Sequence, residues 1–276
     1  KAYCNYYHTS CCKNPRTIFI SSHSNLKIGV IVIAILLVGS FVFVAVYPEL
    51  KHTSVLPAKI LIPLYSCNQS QFQEILNLQS EYKRDHFSII VNPDNGSGST
   101  PNATLSEWIN KSVSAGINVL GYVDTDYGNR SLSNIMGEIY NYSKWYHLHG
   151  IFFDEVSDNL SKRPFYSNIV NRSKTLSINF TVGNPGDFVP YGYLSVFNVT
   201  VIYENNGYPS FLALKEYARN VPRSELAVIA YGVPFSLSEV ARISVVARTI
   251  YFTNQNLPNP YQNLSSYLPE LASVFS

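Results

Sequence analysis

Carboxylates are scarce in this chain, and several of them close short apolar runs. Asp154, followed by Glu155, ends GIFFD, Glu204 ends VTVIYE, and Asp124 ends NVLGYVD. Asp94 comes two residues after FSIIVN begins to lose its apolar character. Two carboxylates facing one cleft are what glycosidic bond cleavage requires. One donates a proton to the leaving oxygen, and the other attacks the sugar or activates water. A separation of about 5–5.5 Å gives retention of configuration, and a wider one gives inversion. Side chains alternate along a strand, so Phe152 and Asp154 are expected on one face, as are Ile202 and Glu204. A slip of one residue would exchange Asp154 for Glu155 as the inward group. Taken singly, each of these acids could equally cap a helix or pair with a nearby arginine.

The same run ends carry further polar and aromatic groups. Asn184 and Asn254 follow the fifth and eighth runs, and Tyr65 ends the first. Tyrosines also recur nearby at positions 122, 203 and 208; Tyr127 is the one best placed to offer its face to a sugar ring. The expected substrate-binding residues are therefore Asp94, Asp124, Tyr127, Asn184, Tyr65 and Asn254. His147 and His149 form H-x-H ahead of the fourth run, at the other end of a strand, and read as structural. Cys4, His8, Cys11 and Cys12 have poor spacing for zinc and no second half-site. No metal and no cofactor are expected. LIPLYSCNQS, after the first run, lacks the glycines of a phosphate loop.

What positions these groups is a regular alternation. Strand-like runs are expected at 59–65, 87–92, 118–124, 150–154, 177–183, 196–204, 226–231 and 249–253. Helical stretches are expected at 70–82, 105–115, 132–146, 165–175, 210–219, 236–247 and 261–275. KILIPLY, FSIIVN and GIFFD are continuously apolar, as strands covered on both faces are. This is the arithmetic of an α/β (β/α)8 barrel, whose sites are assembled at the C-terminal strand ends. An open doubly wound sheet is the competing architecture.

Ahead of the barrel, IGVIVIAILLVGSFVFVAVY (28–47) has no charge in twenty positions. At about 1.5 Å per residue such a helix spans roughly 30 Å, a bilayer core. Four basic residues and no acidic one precede it, which leaves the N-terminus cytoplasmic. The expected organisation is a cytoplasmic tail (1–27), a transmembrane helix (28–47), a linker (48–57) and an extracellular barrel (58–276). N-x-S/T sequons begin at Asn68, Asn95, Asn102, Asn110, Asn129, Asn141, Asn159, Asn171, Asn179, Asn198 and Asn263, and none precedes the hydrophobic segment. The one cysteine after that segment, Cys67, has no partner for a disulfide within the barrel. A net charge of +2 with no basic stripe gives no nucleic-acid surface. The expected partners are a polysaccharide or glycan and the lipid bilayer.

The outer segments resemble spherulation-specific family 4 proteins. The resemblance rests on ILIPLYSC (60–67), IVNPDNGSG (90–98), GYVDTDYG (121–128), WYHLHGIFFDEV (145–156), GNPG (183–186) and YEN (203–205), in order. It implies a (β/α)8 fold and hydrolysis of galactosamine-containing polysaccharide. It also implies that Asp154, Glu155 and Glu204 line the cleft, with Asp154 as nucleophile and Glu204 as acid/base. Asp124 stands where the family more often has a small or hydroxyl residue, so the substrate could differ. The anchor and the dense sequons point to an archaeal-type cell surface. A glycan-binding or structural surface protein on the same barrel is the competing function.

Overall fold

The structure is a computed structural model that describes residues 55–82 and 87–275. The expected tail, transmembrane segment, most of the linker and the Cys4–Cys12 cluster lie outside the described residues. Among those described, no helix is long and apolar enough to cross a membrane.

Eight parallel strands close in sequence order into a barrel: β1 (Lys59–Leu64), β2 (Phe87–Val91), β3 (Asn118–Asp124), β4 (Gly150–Asp154), β5 (Phe180–Gly183), β6 (Val199–Asn206), β7 (Leu226–Tyr231) and β8 (Thr249–Phe252). Closure is made by β1 on β8, through Lys59 on Thr249 and Ile60 on Ile250. The open-sheet alternative is thereby excluded. Every residue of β2 and β8 is buried, which is why these strands read as unbroken apolar runs.

Seven α-helices among the described residues cover the barrel: α1 (Gln69–Tyr82), α2 (Ala103–Ser114), α3 (Leu132–Tyr146), α4 (Arg163–Ser173), α5 (Phe211–Tyr217), α6 (Leu237–Val246) and α7 (Leu268–Val274). Local chemistry sets where several begin. Asn102, Ser131, Ser210 and Ser236 each accept a hydrogen bond from the backbone N–H three residues on, satisfying donors that the helix leaves open. His147 ends α3 in the left-handed conformation, and the His149 ring lies 3.1 Å from the Ser177 carbonyl. Both histidines are exposed, ahead of the first residue of β4.

Two expectations need correction. The last helix starts at Leu268, not at 261, because Pro258 and Pro260 break the preceding stretch and Pro269 opens the helix that follows. Residues 253–267 instead form a long loop over the barrel mouth. In β6, the register against β7 shifts between Val201 and Tyr203, leaving Ile202 without a counterpart. Simple alternation from Ile202 therefore does not explain where Glu204 points; its hydrogen bonds do.

Between β5 and β6 no α-helix forms, only the single turn Tyr191–Tyr193. Close packing is achieved by absence of side chain at Gly183, where a Cβ would collide with the Phe197 ring. Phe197 in turn packs on Phe153 and Tyr166. This seating fixes the end of β5, and with it the next residue, Asn184.

Candidate active site

Asp154 is the last residue of β4 and Asn184 follows β5 directly, so neighbouring strands deliver both to the mouth. The Tyr122 hydroxyl donates to Asp154 Oδ2 at 2.9 Å, and Asn184 Nδ2 donates to Asp154 Oδ1 at 2.7 Å. The same Asn184 nitrogen also donates to Glu204 Oε2, while the Tyr261 hydroxyl donates to Glu204 Oε1. One amide thus bridges the two acids. One oxygen of each acid lies within hydrogen-bond reach of the same nitrogen, which sets the two carboxylates side by side at the mouth. Asn184 Oδ1 is buried and has no partner among the described residues. The two carboxylates fix the amide's orientation, since the reverse would set oxygen against oxygen.

Aromatic rings wall the pair. Tyr65 meets Tyr122 and Tyr261 edge-on, with ring centroids 5.2 and 5.7 Å away, and Tyr231 meets Tyr261 at 6.5 Å. Burial in this apolar wall pushes Glu204 up to about 7, and the nearby Asp154 charge adds to the effect. Burial also raises Asp154, but donors from Tyr122, the Glu155 N–H and Asn184 pull it back. Glu204 faces fewer donors than Asp154, which leaves less to offset the upward push of burial. Burial and the adjacent carboxylates raise the Tyr122 and Tyr261 hydroxyls, so both stay protonated donors.

Glu155 turns away from this pair. It adopts φ 49°, and its carboxyl bonds to Asp124. Burial first, then the charges of Asp124 and Asp154, push it up to about 7. Thr125, fully buried, pins the turn by donating toward the carbonyls of Asp154 (2.9 Å) and Glu155 (2.7 Å) and contacting the Tyr166 hydroxyl. The uncertainty of one residue in strand parity is thus resolved in favour of Asp154 as the group facing Glu204.

The remaining expected residues lie further out. Asp124 accepts the Asp126 N–H at 2.6 Å, and Tyr127 is 46 % exposed on the loop after β3. Asp94 is exposed after β2. Asn254 spends its Oδ1 on the Ser266 N–H, fastening the 253–267 loop. Ten of the eleven sequon asparagines are exposed; Asn141 is half-buried and donates to Ser97 Oγ. Among the described residues no cluster of His, Cys, Asp and Glu could hold a metal.

Tyr261 was absent from the expected site because its segment reads as helix. Tyr122 read as packing. The signal for Tyr261 was the P-N-P run before it, which is hostile to a helix start at 261. Replacing Tyr261 with Phe removes a donor that favours ionised Glu204. The alkaline limb of the pH–rate profile is therefore expected to move up by about one unit. An unchanged limb would mean that Glu204 is not the group that titrates.

A closed eight-stranded parallel barrel with a bridged carboxylate pair at its C-terminal mouth belongs to the class of barrel proteins whose strand ends form a site. The profile of spherulation-specific family 4 matches residues 59–275, and the chain belongs to that family. It is 30% identical over 248 residues to Spherulin-4 of Physarum polycephalum, covering 83% of this chain and 73% of that one. The fold is similar to that of Aspergillus clavatus Sph3 in complex with GalNAc, with a TM-score of 0.71 at 23% identity, over 79% of this chain and 97% of that one. A candidate fructose-1,6-biphosphate aldolase from Coccidioides immitis is similar at TM-score 0.51 and 14% identity, over 71% and 74%. The barrel alone therefore does not choose the chemistry. None of these relatives bears on an archaeal surface.

Proposed function

We propose that the chain is a glycoside hydrolase acting on amino-sugar polysaccharide of the galactosamine type, by double displacement at Asp154 and Glu204. The observation that carries this reading is the Asn184 amide that donates to both carboxylates and so sets them side by side, as a two-carboxylate glycosidase needs. Asp154 attacks the anomeric carbon as Glu204 protonates the glycosidic oxygen, breaking that bond and leaving a glycosyl ester on Asp154. Water then attacks the anomeric carbon as it gives its proton to Glu204, breaking the bond to Asp154, which frees the sugar and restores both groups. Asn184 Oδ1 supplies an acceptor for a substrate hydroxyl or amide N–H. The amino-sugar class is supported by the GalNAc bound in the A. clavatus protein of the same fold.

The test is product analysis of the chain incubated with α-linked galactosamine and N-acetylgalactosamine polymers. Shorter oligosaccharides are expected, with the first-formed reducing end keeping the anomeric configuration of the bond cleaved. Inverted product would rule out the covalent route. Binding without any product would favour the alternative, a glycan-binding or structural surface protein on the same barrel.

The reading includes attachment to a membrane through 28–47, with the barrel outside the cell. It is supported by the uncharged twenty-residue stretch, the basic flank before it and the exposure of the sequons. Treating intact cells with protease is expected to remove the barrel while sparing the N-terminal tail. A barrel that resists the protease until the cells are lysed would contradict this orientation.

A further inference from the structure

The β5–β6 side of the barrel carries three stacked aromatic rings. Tyr217, at the end of α5, stacks on Phe188 with centroids 4.4 Å apart and 16° between planes, and on Tyr191 at 5.3 Å and 19°. The rings are fixed through their backbone neighbours and hydroxyls. Tyr217 OH donates to the Val189 carbonyl at 2.7 Å, and Tyr191 OH donates to the Tyr217 carbonyl at 2.9 Å. These hydroxyls are used inside the stack, so what the stack offers outward is ring surface. Phe188 is 37 % exposed and Tyr191 56 % exposed.

Covering the helix-free side of the barrel accounts for Tyr217, which is half-buried between strand and loop. It does not account for the exposed rings on either side, since a covering role is best served by burying them. The loop that carries the stack also touches the strand that carries Glu204. The Gly186 carbonyl accepts the Glu204 N–H at 3.0 Å, and Phe188 lies only two residues further, within about 7 Å of Gly186 even at full extension. Between them, Asp187 is exposed, and its Oδ1 accepts the Phe188 N–H at 2.7 Å.

We infer that Phe188 and Tyr191, held by Tyr217, form a platform for sugar residues several positions along the polymer from the bond being cleaved. Flat apolar faces beside an acceptor suit pyranose rings, whose C–H groups pack on the aromatic face while their hydroxyls find polar partners. The ligand class rests on the hydrolase reading given above. The platform extends it: the chain grips long polymers and gains little from short fragments.

Binding to the full chain carrying Glu204→Gln separates this from catalysis. Affinity is measured for an α-linked galactosamine/N-acetylgalactosamine polymer and for its trisaccharide, and the ratio of the two is compared among variants. Adding Tyr191→Ala or Phe188→Ala is expected to lower the polymer-to-trisaccharide ratio at least tenfold, and Tyr191→Phe to restore it. Tyr191 is the safer position should Phe188→Ala impair folding, because its ring is the more exposed. A ratio equal to that of the parent in Tyr191→Ala overturns the platform, even when the wild-type chain cleaves the polymer. Absence of polymer binding by the parent itself overturns both the platform and the proposed substrate class.

Discussion

Asp154→Asn is expected to lower turnover by about 10⁴-fold, the order found when one member of a catalytic unit is removed. The substitution is nearly isosteric, and the carbonyl of the new amide can still accept from Tyr122 or Asn184. The barrel should therefore fold, which a thermal melt at the wild-type temperature would show. The loss is specific to chemistry because an amide cannot form the glycosyl ester. A structural role would act differently, weakening the fold along with turnover. Asp154→Ala separates the two further. Added formate is expected to restore part of the activity by attacking from the space the side chain vacates, and a purely structural defect would not respond.

Glu204→Gln is expected to lower polymer cleavage by about 10²–10⁴-fold, the range that general acid catalysis supplies. With an aryl glycoside, whose leaving group departs without a proton, the loss at the first step should be much smaller. The wild-type alkaline limb near the value of about 7 set by Glu204 should vanish in this variant. Equal loss on both substrates would argue against Glu204 as the acid. The same residue predicts a stability effect. Its folded value of about 7 lies above the ordinary 4.5, so between these limits the folded chain binds more protons than the unfolded one. Stability contributed by that proton is fully present below about 4.5 and is lost as pH rises through about 7. Glu155, also raised to about 7, acts in the same direction. Wild-type melting temperature should fall from pH 5 to pH 7.5, and Glu204→Gln should flatten the slope.

The strands were legible because a barrel covered by helices buries both faces of each strand, and FSIIV and GIFFD carry that signature directly. Asp154 was legible for the same reason, since a charge closing such a run lies at the mouth. Glu204 was assigned by alternation, yet the register shift at Ile202 breaks alternation; no glycine or proline marks that bulge in VTVIYEN. Asn184 was placed at a strand end, but its bridging of two acids depends on β4, β5 and β6 meeting in space. Tyr261 was beyond reach of local pattern. It comes from 57 residues past Glu204, on a loop whose apolar spacing imitates a helix.

The central claim is that Asp154 becomes covalently joined to the sugar while Glu204 handles the proton. Glu204→Gln, reacted with an aryl glycoside that loads the enzyme but leaves the second step slow, should accumulate that ester. Mass spectrometry of its peptides is predicted to show one added glycosyl group, placed on Asp154 in the segment that also contains Glu155. Steady turnover of the aryl glycoside with no adduct on any peptide, or an adduct on Glu155, would contradict the account.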